Sequence, residues 1–306
     1  MTNLDVIVPV YNEASCLETT FARLLELRNS MNGQAEVNFI FVDDGSVDNS
    51  LELLRDFARE NNFAKVLSFS RNFGHQTAIW AGIENSSADF AAIIDADLQD
   101  PPELIKDMLE KAINENLQVV YGKRTKRKKE CLCKKLTASI YYRLLNSLSN
   151  VKIPNDTGDF RLIRRDVIDN LKQLPEKNKF LRGIIPWFGF KSAPLEYVRE
   201  ERAAGKTKYT LSKMFKLACD GIYGFSSRPV HFITIFANTL LFVALILFIM
   251  GSIFRAALGF FLFTGLILFT GSLQLYAIAI LGQYIIRIWD EAKNRPVYIL
   301  KEKINL

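Results

Sequence analysis

Two carboxylates close an apolar run. Asp95-Ala96-Asp97 follows Phe90 to Ile94, and Leu98-Gln99-Asp100-Pro101-Pro102 comes next. Carboxylates at the end of a buried strand lose hydration, and a cation or hydrogen bonds must offset the loss. A divalent metal ion carrying a nucleotide diphosphate suits two acidic side chains one residue apart. The pair gains weight because three other polar clusters stand at equivalent places: Pro9-Val10-Tyr11-Asn12-Glu13, Asp43-Asp44-Gly45-Ser46 and Ser70-Arg71-Asn72-Phe73-Gly74-His75.

The elements that must position these clusters are legible. Apolar runs rich in β-branched residues recur at Leu4–Val8, Val37–Val42, Val66–Phe69, Phe90–Ile94 and Val119–Tyr121. Helical patterns lie between them at Ala14–Leu27, Asn49–Glu60, His75–Glu84 and Pro102–Asn114. Strands alternating with helices of this length predict βαβ units and an α/β fold with a mainly parallel sheet. Ligands of such sheets bind at the carboxyl ends of the strands, and the four clusters fall there. The chain has no G-x-G-x-x-G and no G-x-x-x-x-G-K, so the usual dinucleotide and P-loop signatures are missing.

The 306 residues are 49% apolar and 24% charged, the composition of a folded chain. Their apolar content is unevenly placed. Phe232–Met250 and Ala256–Ile286 hold no charged residue, and each is long enough to cross a hydrocarbon core of roughly 30 Å. Five residues, Gly251 to Arg255, separate them, which predicts a transmembrane hairpin. Bases flank the pair outside (Lys206, Lys208, Lys213, Lys216 and Arg228 before; Arg287, Lys293, Arg295, Lys301 and Lys303 after), while the connection holds only Arg255. The positive-inside rule puts the N-terminal domain and the C-terminal tail in the cytoplasm. The apolar run Val6–Val10 is too short for a signal peptide and lacks a basic leader. The expected boundaries are a catalytic domain over 1–205, an amphipathic juxtamembrane segment over 206–229, two membrane helices over 230–286 and a tail over 287–306.

Gly122–Lys135 carries eight Lys or Arg residues. It reads as a solvated basic loop, or as a source of diphosphate contacts and of attraction to anionic lipid. Nucleic acid is not an expected partner beside a membrane hairpin. Leu136, Ile140, Tyr141, Leu144, Leu145 and Leu148 share one helical face, as do Leu211, Met214, Phe215, Ala218 and Ile222. Each face suits a protein core or the membrane interface. Cys16, Cys131, Cys133 and Cys219 form no metal or disulfide pattern and read as reduced. The only two histidines, His75 and His231, argue against zinc or triad chemistry built on histidine.

Five collinear motifs, V-P-V-Y-N-E at 8–13, V-D-D-G-S-V-D at 42–48, R-N-F-G-H-Q at 71–76, D-A-D-L-Q-D-P-P-E at 95–103 and D-T-G-D-F-R-L at 156–162, resemble the family 2 inverting glycosyltransferases of GT-A fold. Together with I-L-G-Q-Y-I-I-R-I-W-D-E at 280–291, they resemble in particular the polyprenyl-phosphate branch, which includes bactoprenol glucosyltransferases and dolichol-phosphate mannose synthase. The resemblance implies roles. Pro9, Tyr11 and Glu13 belong to the nucleotide pocket. Asp43 accepts from the base, and Asp44 braces the turn. Asp95 holds ribose or sugar hydroxyls; Asp97, with Gln99, ligates Mg²⁺ or Mn²⁺ on the diphosphate. Arg124 grips the diphosphate, and Arg202 and Lys208 sit on a loop that closes over the donor. Asp159 faces the acceptor, positioning it or acting as base, with Asp156 close enough to be mistaken for it. Arg161 pairs with the lipid phosphate.

The activity implied is transfer of a sugar, glucose from UDP-glucose first, with inversion to undecaprenyl phosphate at the bacterial inner membrane. A lipid-sugar flippase and a downstream transferase would follow. Other donor sugars (N-acetylhexosamines, galactose, mannose, aminoarabinose) remain open, as do a processive polysaccharide synthase and a non-catalytic scaffold. The absence of Q-x-x-R-W weighs against the synthase, and the intact acidic motif against the scaffold. Gly259, Gly265 and Gly271 permit close helix packing and hence a homo-oligomer.

Overall fold

The computed structural model describes residues 1–126, 157–177, 179–198, 239 and 258–305. In chain order the first elements are β1 (Thr2–Val10), α1 (Ala14–Ser30), β2 (Ala35–Asp43), α2 (Ser50–Glu60), β3 (Ala64–Phe69), α3 (His75–Glu84), β4 (Phe90–Ile93), α4 (Leu104–Asn114) and β5 (Val119–Lys126). Then come β6 (Thr157–Arg164), α5 (Arg165–Gln173), α6 (Leu181–Trp187), β7 (Ser192–Val198), α7 (Leu258–Ala292) and β8 (Leu300–Ile304). All the strands form one sheet in the order β7-β5-β6-β4-β1-β2-β3-β8.

The expected parallel core is present. β1 pairs in parallel with β2 and β4, and β2 with β3. Their carboxyl ends therefore share one rim. Successive side chains of a strand point to opposite faces. Val6, Val8 and Val10 of β1 join Phe39 and Phe41 of β2 in a core with Leu17, Phe21 and Leu24 of α1, Phe57 of α2 and Ile105 and Met108 of α4. Phe57 stacks on Phe21 with ring centroids 4.1 Å apart, and Phe41 meets both rings edge-on. The opposite face of β1 and β2 is covered by α3, which also packs on α5.

The sheet is mixed, which the apolar runs did not foretell. β6 lies antiparallel between β4 and β5, and β8 antiparallel on the edge of β3, while β7 extends the other edge parallel to β5. Because β6 runs backwards, its first residues stand at the rim where β4 ends. The register pairs Arg161 with Ile93, so Asp159 starts β6 beside the acidic pair.

The chain divides into two compact units. One comprises Met1–Tyr142, Val151–Lys213 and Pro296–Leu306, and holds the sheet. The other comprises Arg143–Asn150 and Met214–Arg295, and its described part is chiefly α7. Within α7, Phe269–Ala292 includes an 18-residue window of mean hydropathy 1.3 with no described residue buried, so this helix is long and apolar enough to cross a membrane. Among the described residues the structure thus gives one long apolar helix, which covers the second of the two expected stretches. Apart from Thr239, the first stretch, Phe232–Met250, lies outside the described residues, as do the two amphipathic stripes and most of the basic segment. The helix continues past Ile286 to Ala292, and Leu300–Ile304 returns to the sheet. Arg55 of α2 holds Glu302 there at 2.5 Å, and Asn305 donates to the carbonyls of Ala58 and Ala64.

The seat of α3 is tight. A Cβ at Gly82 would lie 2.2 Å from Cγ2 of Ile7, a side chain fixed inside β1. Gly82→Ala is expected to lower stability by about 1–3 kcal/mol, the usual cost of overpacking. Denaturant unfolding should show Ile7→Ala in the same chain cancelling part of that loss, because the methyl would fill the vacated space.

Candidate active site

The rim collects side chains from every strand that ends there. The turn after β1 is tied to the turn after β2. Asn12 and Glu13 donate backbone N–H groups to Ser46 Oγ and Ser50 Oγ at 3.0 and 2.9 Å, and Val47 N–H returns a bond to Asn12 Oδ1 at 2.8 Å. Pro9 is buried, Tyr11 is 38% exposed, and Glu13 is half-buried. Asp43 lies in the floor. Its two oxygens accept from Ser46 N–H at 3.1 Å and Ser68 Oγ at 3.0 Å, and each keeps a second lone pair.

Asp44 braces a turn, as expected, but that of the next loop. Its carboxylate accepts from Phe73 N–H at 2.7 Å, Gly74 N–H at 3.0 Å and Asn72 Nδ2 at 2.9 Å. Gly74 is the N-cap of α3, so Asp44 fixes the turn just before the helix and places a charge favourable to that end of it. Burial pushes its pKa up despite these bonds.

The acidic pair lies opposite. Ala96 O accepts from Thr20 Oγ1 at 2.9 Å and from buried, reduced Cys16 at 3.3 Å, which pins the loop to α1. Leu98 takes a left-handed φ of 56°, so that Gln99 N–H returns to Asp97 Oδ1 at 3.2 Å. Asp95 Oδ1 is buried and has no hydrogen-bond partner among the described residues. Burial raises its pKa to about 6, with the carboxylates of Asp100, Asp159 and Asp97 adding to the rise and His75 opposing it.

A charge cluster joins this pair to Asp159, which is only 5% exposed. Arg182 of α6 grips Asp159 with both arms of its guanidinium, Nε to Oδ1 at 2.8 Å and Nη2 to Oδ2 at 2.7 Å. Gln76 Nε2 donates to the same Oδ2 at 3.1 Å. His75 Nε2 stands 3.4 Å from Asp159 Oδ2 and 3.5 Å from Asp95 Oδ1, bridging the two carboxylates. Burial raises the Asp159 pKa, but Arg182 and His75 outweigh it and hold the carboxyl well below its usual range. Arg161 turns inward, donating to Gly158 O at 2.8 Å and Asp159 O at 3.3 Å, so it orients the start of β6. Arg124 reaches the rim from β5 and lies 3.5 Å from Asp100.

The structure therefore brings Pro9, Tyr11, Glu13, Asp43, Asp95, Asp97, Gln99, Arg124, Asp159 and Arg161 to one rim. Arg202, Lys208 and Asp156 lie outside the described residues. Sequence reasoning gave no role to His75, Gln76 or Arg182. The first two stand inside the quoted R-N-F-G-H-Q motif. Arg182, in an ordinary L-R-G-I-I-P-W helix, carries no spacing signal at all.

Among the described residues no group of three His, Cys, Asp or Glu side chains could hold a metal ion alone. The donors fit one shared with a ligand. Asp97 and Gln99 offer hard oxygen atoms, and the neighbouring Asp95 Oδ1 lacks a hydrogen-bond donor among the described residues.

Residues 5–172, more than half of the chain, match the family described as Glycosyl transferase family 2. The chain belongs to glycosyl transferase family 2. This family 2 glycosyltransferase is 43% identical to the uncharacterized glycosyltransferase YkcC of Bacillus subtilis (strain 168), covering 99% of this chain and 94% of that one. It is 38% identical to the bactoprenol glucosyl transferase of Shigella phage SfII, covering 98% and 97% of the two chains. Among solved structures, glucosyl-3-phosphoglycerate synthase from Mycobacterium tuberculosis in complex with Mn²⁺, UDP-glucose and phosphoglyceric acid matches with TM-score 0.46 and 18% identity, over 72% of this chain and 78% of that one.

Burial works against a charged His75, yet the hydrogen bond to Asp159 and the charge of Asp95 outweigh it and raise its pKa from 6.5 to about 9. The imidazolium, raised above its unfolded value, contributes stability that is full below pH 6.5 and is lost as pH rises through about 9. NMR titration of His75, with His231 replaced by Ala, should find its midpoint near 9 and see Asp159→Asn lower it. A wild-type midpoint near 6.5 would contradict the bridge.

Proposed function

We propose that this glycosyltransferase transfers a sugar, glucose from UDP-glucose foremost, with inversion to the phosphate of undecaprenyl phosphate. The observation that carries the reading is the near full-length identity to a bactoprenol glucosyl transferase, and the rim chemistry agrees with it. The nucleotide would lie against Tyr11, Glu13 and Asp43, the sugar against Asp95, and the diphosphate near Arg124. A Mg²⁺ or Mn²⁺ ion held by Asp97 and Gln99 would neutralise charge on the diphosphate.

In this reading an oxygen of the acceptor phosphate attacks the anomeric carbon from the side opposite the diphosphate. The bond from that carbon to the β-phosphate oxygen breaks, and its electron pair leaves with UDP. The acceptor oxygen is already anionic near neutral pH, so no proton has to be removed. Asp159, clamped by Arg182 and holding its carboxyl well below the usual range, is a weak base. Its fitting role is to orient the acceptor, together with His75 and Gln76.

The path of the chain limits how it would attach to a membrane. β7 and β8 belong to one sheet, so the chain leaves and rejoins that unit on a single side of any bilayer. If α7 crosses, an odd number of crossings must lie between residues 199 and 257. Phe232–Met250 is the uncharged stretch of sufficient length there. Two crossings, with both ends on the cytoplasmic side, satisfy this and the distribution of basic residues.

The test is transfer of labelled sugar from a panel of nucleotide sugars to undecaprenyl phosphate by the purified full-length chain with Mg²⁺ or Mn²⁺. Labelled lipid from UDP-glucose is expected. Folded protein that labels no lipid from any donor would exclude the reading. Asp97→Asn is expected to cost about 100-fold or more in rate with an unchanged melting temperature; a fully active variant would remove Asp97 from the metal shell.

A further inference from the structure

Arg124 is held in an uncommon way. In the parallel pairing of β5 with β7, Arg124 stands opposite Tyr197, and its Nε–H donates to Tyr197 Oη at 3.2 Å. The hydroxyl in turn donates to Asp100 Oδ1. Arg124 Nη2 approaches the other oxygen, Asp100 Oδ2, at 3.5 Å. Asp100 is 1% exposed and the Tyr197 ring is buried, set edge-on against Phe160. Burial and the charge of Asp100 push the Tyr197 hydroxyl pKa up, so it stays a neutral relay.

The relay fills one edge of the guanidinium and leaves the other. Arg124 is 17% exposed, and its Nη1 has no hydrogen-bond partner among the described residues. Space for this pose comes from Gly158, where a Cβ would lie 2.6 Å from Nη2. Asp100 follows Gln99 directly and Asp97 by three residues, so the loop offering oxygen ligands to a cation also anchors this arginine.

We propose that Asp100 and Tyr197 are positioning residues that hold the Arg124 guanidinium with its outer edge towards a diphosphate, with Gly158 keeping its place open. A planar fork fixed at one edge suits an anion with paired oxygens, because little further side-chain freedom is lost on binding. The inference rests on the nucleotide-sugar reading above and gives Asp100, Gly158 and Tyr197 a role that the motifs did not.

The test is calorimetric titration of the full-length protein with UDP and, separately, with uridine, for wild type, Tyr197→Phe, Gly158→Ala and Arg124→Ala. Tyr197→Phe and Gly158→Ala are expected to weaken UDP binding about 10-fold, the effect of loosening a hydrogen bond to a charged group. Uridine binding should not change. Adding Tyr197→Phe to Arg124→Ala should cost nothing more, since the hydroxyl acts through the arginine. UDP binding unchanged by Tyr197→Phe in protein of wild-type melting temperature overturns this inference alone, as does an equal loss for UDP and uridine. Wild-type protein that binds no UDP overturns the nucleotide-sugar reading and this inference with it.

Discussion

Carboxylates crowded at one rim of the sheet are the constraint on which the site depends. Asp43, Asp44, Asp97, Asp100 and Asp159 are all buried there, with Asp95 partly so. Buried charges of one sign repel and lose hydration together, so each needs its own compensation. Asp44 has the backbone N–H groups of Phe73 and Gly74 just before α3, Asp43 has two serines, Asp100 has Tyr197 and Arg124, and Asp159 has Arg182. Asp95 is the least compensated, with His75 at 3.5 Å and an orphaned oxygen. Where the protein's own counter-charge is thinnest, a cationic or hydroxyl-rich ligand gains most.

The same constraint explains the architecture of the loops. Each compensating group comes from a different element: a loop donor for Asp44, β7 for Asp100, α6 for Asp159. The rim is thus cross-linked electrostatically, and α3 carries His75 and Gln76 into the cluster because Asp44 fixes the turn just before it. Aromatic packing extends the support. Phe69 at the end of β3 stacks on Tyr298 at 5.0 Å and meets Phe73 edge-on at 5.6 Å, while Tyr298 also bonds to Glu84 at the far end of α3. The segment leading from α7 into β8 therefore holds both ends of the loop and helix that bear His75.

How much of this was legible follows from burial. β1 to β4 are covered on both faces, so they read as continuous apolar runs, and their expected limits fall within about two residues of those observed. The polar clusters that follow them fell on the rim for the same topological reason. β6, β7 and β8 escaped because their patterns say something else. β6 buries Asp159 and Arg161 among apolar residues, β7 contains Pro194 and Glu196, and β8 places Lys301, Glu302 and Lys303 in a row between Leu300 and Ile304 along a sheet edge. Motif reasoning found Asp159 but not what holds it. Arg182 lies 23 residues further on in an unremarked helix, and only tertiary contact reveals such a pair.

That pair bears on the choice of acceptor. A sugar hydroxyl must lose a proton as it attacks, so a polymer-forming enzyme needs a carboxylate able to receive one. Here the carboxylate nearest that role is gripped by a bidentate arginine, a glutamine and an imidazolium, all of which favour its ionised form. Freeing Asp159 to take a proton would break contacts at both of its oxygens. An acceptor that arrives already anionic avoids this demand and can be drawn to Arg182 and His75 by its charge. Under the proposed function, the clamp on Asp159 agrees with a phosphate acceptor rather than an alcohol.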